Sequence, residues 1–315
     1  MCNRLSLNVV VYTNYMLSIL EYMPFGRKRK MREKQYVLGV YEKAIPVSLS
    51  WQEKLESAQE AGYDFLELSI DETEEKLARL TEENQDMLAL QKAVDHTAFP
   101  VRSLCLSGHR RFSLGSSDPE KAQRSLSIMK GAIALSLKLG IRIIMLAGYD
   151  VYYEESTLQT GNRFRDNLDC CVEMAEKAGV MLAFETMETP FMNTVAKAMK
   201  HVRRVDSPFL AVYPDIGNLT NAALVSPMNV TDDLQSGKGH LVGLHLKETV
   251  PGRFRNMMFG EGDVDFPVAI RTAWNLGVRR FVTEFWYLGE ENWKERLFFA
   301  RKTMGDIIDL VENGT

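Results

Sequence analysis

The sequence predicts a single-domain α/β protein of the (β/α)8, or TIM, barrel class. Three observations point there: eight short apolar runs, helix-period segments between them, and a glycine that recurs at the helix-to-strand junctions. Strands buried on both faces of a parallel sheet read as short, near-continuous apolar runs, and these do. Ala61-Gly62-Tyr63, Leu139-Gly140-Ile141, Ala178-Gly179-Val180 and Leu276-Gly277-Val278 each place glycine where a helix should end. Glycine tolerates the left-handed backbone found just past a helix C-terminus. Four copies of helix, glycine, strand read as one repeated βα unit, and eight strands with crossover helices fit a barrel. A doubly wound open sheet is the alternative, but no G-x-G-x-x-G follows the first strand.

In chain order the expected strands are Val37–Tyr41, Phe65–Leu68, Val101–Leu106, Arg142–Ala147, Val180–Phe184, Phe209–Tyr213, Leu241–Leu246 and Arg280–Phe285. Helices are expected over Trp51–Ala61, Pro119–Leu139, Asn162–Ala178 and Val195–Val205, with Ser117-Asp118-Pro119 as a start signal for the second. No low-complexity linker interrupts 36–312, so residues 31–315 are expected to form one catalytic domain. Residues 1–30 read differently. Val9–Tyr12 and Tyr15–Leu20 are apolar, but Thr13, Asn14 and Glu21 break them up, and the basic run Arg27–Lys30 follows. That is too short and polar for a spanning helix, and most of the charge is on the wrong side for a signal peptide. An N-terminal extension, disordered or upstream of a start at Met31, is expected; a weak membrane-surface role is the alternative.

Composition narrows the function classes. With 45% hydrophobic and 25% charged residues, the 315-residue chain resembles an average soluble protein, which excludes a disordered, collagen-like or multispan membrane protein. A net charge of −4 leaves no electrostatic footprint for nucleic acid. The four cysteines have no C-x-x-C spacing and suit a reducing compartment, so a cytoplasmic location is expected. Homo-oligomers are common among soluble enzymes, so at least a dimer is expected.

Chemistry in a barrel sits where strands end and βα loops begin. The fifth strand leads to Glu185, the sixth to Asp215, the seventh presents His245 and the eighth leads to Glu284. Three carboxylates and one imidazole make a shell for one divalent metal ion, Mn²⁺, Mg²⁺ or Zn²⁺. Taken singly, each is an ordinary polar strand end or helix cap. Together they occupy the same phase of their repeats, and a carboxylate after an apolar strand is costly to leave unpaired.

Other polar residues at the same rim are candidate substrate contacts. Glu67 and His109 follow the second and third strands, Glu154 and Glu155 the fourth, and Asn218 shares a segment with Asp215. For His109, packing beside Arg110 and Arg111 is the structural alternative; for Glu155 it is a solvated helix start. A phosphate on the substrate would need cations. Lys247, Arg253 and Arg255 lie in or near the loop after the seventh strand, with Arg110 and Arg111 as rivals. Tyr149, Tyr152, Tyr153, Phe285 and Trp286 cluster near the rim and either shield the substrate or cap the core.

Seven segments carry a resemblance. They are Leu38-Gly39-Val40-Tyr41-Glu42-Lys43-Ala44, Leu66-Glu67-Leu68-Ser69-Ile70-Asp71-Glu72-Thr73, Cys105-Leu106-Ser107-Gly108-His109-Arg110-Arg111-Phe112, Leu146-Ala147-Gly148-Tyr149-Asp150-Val151-Tyr152-Tyr153, Tyr213-Pro214-Asp215-Ile216-Gly217-Asn218, His245-Leu246-Lys247-Glu248-Thr249 and Phe259-Gly260-Glu261-Gly262. Over roughly 36–312 the chain resembles the xylose-isomerase-like sugar epimerases, and within them the L-ribulose-5-phosphate (L-xylulose-5-phosphate) 3-epimerases of ascorbate and pentose catabolism. The resemblance implies that Glu185, Asp215, His245 and Glu284 hold the metal and that Glu185 and Glu284 are also the catalytic acid/base pair. It implies a metal-assisted reaction on a small sugar phosphate through a cis-enediolate, in which one glutamate takes the C3 proton and the other returns one to the opposite face. Epimerases of non-phosphorylated ketoses, inosose dehydratases and a non-catalytic sugar-binding barrel remain alternatives. A related class of DNA endonucleases with several metal ions needs more histidines than the five present.

Overall fold

The computed structural model describes residues 34–314, so the expectations for residues 1–30 lie outside the described residues. Eight parallel strands form one sheet: β1 (Val37–Tyr41), β2 (Phe65–Ile70), β3 (Val101–Leu106), β4 (Ile143–Ala147), β5 (Met181–Glu185), β6 (Leu210–Val212), β7 (Leu244–Leu246) and β8 (Arg280–Thr283). Their order is β6-β5-β4-β3-β2-β1-β8-β7. The first strand pairs with both the second and the last, which an open doubly wound sheet does not do. The sheet closes on itself through parallel bridges Val212↔Leu241 and Asp215↔His245. The barrel reading therefore holds.

Ten helices connect and cover the strands: α1 (Trp51–Glu60), α2 (Glu74–Ala78), α3 (Gln85–Thr97), α4 (Pro119–Leu139), α5 (Leu158–Ala178), α6 (Val195–Val205), α7 (Ile216–Val225), α8 (Val230–Ser236), α9 (Phe266–Asn275) and α10 (Trp293–Glu312). Local chemistry sets their ends. Asp118 caps α4 through the amides of Glu120 and Lys121, and proline at the first position adds its fixed φ. Ser50 and Glu53 form a reciprocal capping box on α1. Helix α5 begins four residues before the expected Asn162 because Thr157 caps it and bonds Thr160. Gly140 and Gly179 take the left-handed conformation after α4 and α5, at φ +71° and +66°, as the junction repeat predicted.

Alternation along each strand sorts the core into two layers. Leu66, Leu68 and Ile70 of β2 face the helices, with Leu104, Ile144 and Leu182 from neighbouring strands. Phe65 faces inward and joins Ile143, Ala183, Ala211, Tyr213 and Val282 in the barrel interior. The Phe65 ring fills the space over Gly39, where a Cβ would sit 2.4 Å from it. Truncating such a buried ring to alanine costs about 3–5 kcal/mol. Above this apolar floor the inward positions turn polar, and there the site is built.

Candidate active site

Four successive strands deliver Glu185, Asp215, His245 and Glu284 to one point inside the barrel, all buried. One donor atom from each lies within 4.8 Å of the others. Glu185 is the last residue of β5 and His245 the middle of β7. Asp215 follows β6 and also caps α7, its Oδ1 accepting the Asn218 amide at 2.8 Å. His245 Nδ1 lies 3.0 Å from Glu284 Oε2 and 3.8 Å from Glu185 Oε1. Its ring is held edge-on to Tyr213, with centroids 5.2 Å apart.

Charge is badly balanced here. Lys247 Nζ lies 2.6 Å from Asp215 Oδ2 and 3.7 Å from Glu284 Oε2. Among the described residues the Lys247 ammonium is the one donor near this fully buried oxygen, and no second donor reaches it. Burial, then the neighbouring Glu284 charge, pushes the Glu185 carboxyl up to about 8. Burial also lifts Asp215 to about 7, with Lys247 opposing and Glu284 adding to the rise. Burial works against Glu284 as well, but Lys247 and His245 hold it below the usual carboxylate range. Burial would depress His245, yet the Glu67 and Glu284 carboxylates hold it well above its ordinary value. Three crowded, buried carboxylates, one of them with a single ammonium serving its inner oxygen, and an imidazole nitrogen make a donor set that fits a divalent cation.

Glu185 and Glu284 of the quartet open on a small cleft of about 70 Å³. Tyr41 and Cys105 line its buried end with Glu185 and Glu284; Lys43, Arg110, Glu188 and Arg255 line the more exposed part. Glu188 links three loops, accepting from Tyr149 at 2.5 Å, Tyr152 at 3.4 Å and Arg255 at 3.1 Å. The Arg110 guanidinium lies over the Tyr152 ring, and its Nε is buried without a partner.

Of the expected substrate contacts, the structure brings Lys247, Asn218, Arg255 and Arg110 to the cleft. Lys247 and Asn218 both line it, joined by a 2.9 Å hydrogen bond. Four others are placed elsewhere. Glu67 is not at a strand end, because β2 runs on to Ile70; it is fully buried behind His245, 2.6 Å from Nε2. His109 is buried on the outer side, its Nε2 3.1 Å from the Ser125 carbonyl of α4, so the packing alternative describes it. Glu155 is exposed in the loop before α5, while Glu154 is taken up by Ser116 and Ser117. Arg253 turns away from the cleft to donate to the carbonyls of Arg255 and Asn256, and Arg255 lines the cleft instead. Arg111 makes an exposed ion pair with Glu74.

The aromatic cluster divides. Phe285 packs on Phe259 in the core, Trp286 lines the cleft edge-on to Tyr41, and Tyr153 is 64% exposed. The residue reading gave no role to Tyr41, Lys43, Cys105 or Glu188. For Tyr41 and Cys105 the signal was period-2 parity, which places them on the inward face of β1 and β3.

Among the described residues no helix is long and apolar enough to cross a membrane. The family model "Xylose isomerase-like TIM barrel" matches residues 55–303. The L-ribulose-5-phosphate 3-epimerase UlaE of Escherichia coli O139:H28 is 45% identical over 257 residues, covering 81% of this chain and 89% of that protein. A solved structure of an L-ribulose 3-epimerase superposes with a TM-score of 0.72 at 18% identity, covering 89% of this chain and 96% of its own. A xylose isomerase-like TIM barrel protein from Mycobacterium smegmatis, solved in complex with magnesium, gives 0.67 at 15% identity, covering 89% and 99%. The chain belongs to the xylose isomerase-like TIM-barrel family and, within it, to the L-ribulose-5-phosphate 3-epimerases, a group of carbohydrate epimerases.

Proposed function

We propose that this sugar epimerase is a divalent-metal-dependent 3-epimerase that interconverts L-ribulose 5-phosphate and L-xylulose 5-phosphate. The observation that carries the reading is the convergence of Glu185, Asp215, His245 and Glu284 within 4.8 Å at the end of a cleft. Those four side chains would hold one Mn²⁺, Mg²⁺ or Zn²⁺ ion. The ion would draw electron density from the C2 carbonyl and so acidify the neighbouring C3 proton.

The rest of the chemistry belongs to the chain. Inverting C3 needs a base on one face of the sugar and an acid on the other, a few ångströms from the carbon. Glu185 and Glu284 project from β5 and from the end of β8, both into the cleft, and are assigned as that pair. One glutamate, ionised, takes the C3 proton from one face and becomes the acid; the other, starting as the neutral acid, delivers its proton to the opposite face and is left ionised. Lys247 and Asn218 line the same cleft, where they would hold substrate oxygens. Lys43, Arg110 and Arg255 line the cleft further out, where the phosphate of a five-carbon sugar would lie and would compete with Asp71 for Lys43 and with Glu188 for Arg255. The proposal includes a homo-oligomer working in the cytoplasm in L-ascorbate and pentose catabolism, for which the free Cys105, Cys170 and Cys171 thiols are suited.

The test is to incubate the protein with L-ribulose 5-phosphate in D2O and follow the C3 proton by NMR, with and without a chelator. Chelator-sensitive exchange with formation of L-xylulose 5-phosphate is expected. No exchange with Mn²⁺, Mg²⁺ or Zn²⁺ supplied would move the assignment to a free ketose or an inosose.

A further inference from the structure

We infer that Glu67 is a positioning residue: it holds the outer nitrogen of the His245 imidazole, so that Nδ1 is the nitrogen presented to Glu185, Asp215 and Glu284. The inference rests on the reading that this quartet holds a divalent ion. Glu67 Oε1 lies 2.6 Å from His245 Nε2, and Ser103 Oγ donates to Glu67 Oε2 at 2.6 Å. Glu67, Ser103 and His245 are all fully buried. Among the described residues the ion-pair partner of Glu67 is His245 alone. One oxygen of the carboxylate is taken by Ser103, and the other is left to accept the Nε2 proton.

The backbone is shaped for that contact. Strands β2 and β3 pair Leu66 with Val101 and then Glu67 with Ser103, so the register slips by one residue and Arg102 is passed over. The Arg102 side chain is exposed. The slip seats a hydroxyl donor, rather than an outward-facing arginine, beside the buried carboxylate. Bulges of this kind re-aim side chains next to functional sites. Tyr41 on one side and Tyr213 on the other, with centroids 6.4 and 5.2 Å from the imidazole, fix the plane of the ring.

Ring orientation alone does not choose which nitrogen carries the proton. A neutral imidazole ligates through its unprotonated nitrogen, and the hydrogen bond made by the other nitrogen sets the choice. With Glu67 accepting from Nε2–H, Nδ1 keeps its lone pair for the cation. Without Glu67 the proton is free to sit on Nδ1, where it blocks ligation.

The experiment titrates Mn²⁺ into the chelator-treated full chain by calorimetry, for the native protein, Glu67→Leu, Glu67→Gln and Ser103→Ala. Side-chain ¹⁵N NMR of the same proteins reads the His245 nitrogens. Glu67→Leu should weaken Mn²⁺ binding about 10- to 100-fold, in line with the loss of a metal ligand's hydrogen-bond partner. Glu67→Gln, whose amide oxygen still accepts from Nε2–H, should lose less, and Ser103→Ala least. A slowly exchanging Nε2–H proton should be present in the native protein and Glu67→Gln and absent from Glu67→Leu. Native protein that binds Mn²⁺ while folded Glu67→Leu binds it equally well overturns the inference and leaves the metal reading intact. Native protein that takes up no ion overturns the metal reading, and the Nε2–H signal then decides on Glu67: its absence from the native protein overturns the inference. If Glu67→Leu does not fold, Glu67→Gln carries the test, and loss of the Nε2–H proton with unchanged Mn²⁺ affinity overturns it.

Discussion

Two clusters of buried charge lie at the catalytic end of β1, and they are built on opposite terms. Glu42, in the turn just after β1, is 3% exposed and fully engaged. It accepts from Lys76 at 2.5 Å, from Arg79 at 2.9 Å on each oxygen, and from the Ser69 amide at 2.9 Å. Arg79 continues to Asp86, which accepts the Trp51 indole proton at 2.6 Å. Burial would raise the Glu42 carboxyl, but Lys76 and Arg79 hold it below its ordinary value. Inside the barrel, Glu185, Asp215 and Glu284 crowd together with Lys247 and His245 as the nearby cations, and Asp215 Oδ2 has the Lys247 ammonium but no second donor. Both clusters are desolvated, so burial does not distinguish them. Satisfaction does: a buried carboxylate with every lone pair occupied ties elements together, whereas one left crowded and underpaired is kept for what it binds.

The largest expected effect tests the crowded cluster. Glu185→Gln or Glu284→Gln should lower turnover about 10²- to 10⁴-fold, the usual contribution of a positioned acid or base. Glu185→Gln also removes a charge that its surroundings disfavour, so its thermal stability should hold or rise, whereas Glu284→Gln loses a charge that Lys247 and His245 stabilise and should lower it. C3 proton exchange in D2O and thermal unfolding read the two effects separately, and near-normal exchange in Glu185→Gln would sink the two-base assignment.

The satisfied cluster should behave the other way round. Glu42→Gln strands Lys76 and Arg79 without their shared counter-charge, and breaking a buried pair from one side costs about 3–5 kcal/mol. Urea unfolding should show that loss, while the turnover of the folded fraction stays close to the native rate. Unchanged stability would mean that the contrast between the clusters is misdrawn.

A smaller effect concerns a buried titratable group outside both clusters. Burial pushes His109 down to about 4, against a weaker opposing contribution from the Ser125 carbonyl. Its folded value is below its unfolded value, so its contribution to stability is present above about pH 6.5 and is lost as pH falls towards 4. The shift corresponds to about 3 kcal/mol at most. His109→Gln, which keeps a donor for the Ser125 carbonyl, should flatten the acid limb of stability measured by denaturant unfolding between pH 7 and 4. An unchanged acid limb would assign that limb to other groups.

The sequence carried the barrel because its signals are local: apolar runs with the length of strands, and glycine at four helix-to-strand junctions. The metal-ligand candidates were legible for a related reason. Strand ends fix both position and direction, so reading the residue at each strand end found Glu185, Asp215 and Glu284. Glu67 was misplaced because Ser69 interrupts the apolar run without ending the strand, which hid two residues of β2. Arg253 and Arg255 were not distinguishable in a loop where no periodicity says which way a side chain turns; backbone carbonyls of the same loop capture Arg253. The joining of Glu188 to Tyr149, Tyr152 and Arg255 depends on three loops meeting, and nothing within any one of them announces it.

The junction between β6 and β7 closes the ring with few bonds. Val212 N to the His240 carbonyl, Val242 N to the Val212 carbonyl and His245 N to the Pro214 carbonyl cross it, whereas β4 and β5 pair through five consecutive residues. Gly243 is bare there because the Tyr213 ring occupies the place of its Cβ, 2.5 Å away. One of the two bridges across this junction is Asp215 opposite His245, both members of the quartet. A cation gripped by both would act as a clasp on the thinnest part of the wall. Catalytic readiness and the mechanical integrity of the cylinder would then rise and fall together, and the ion would be a structural rivet as well as a reagent.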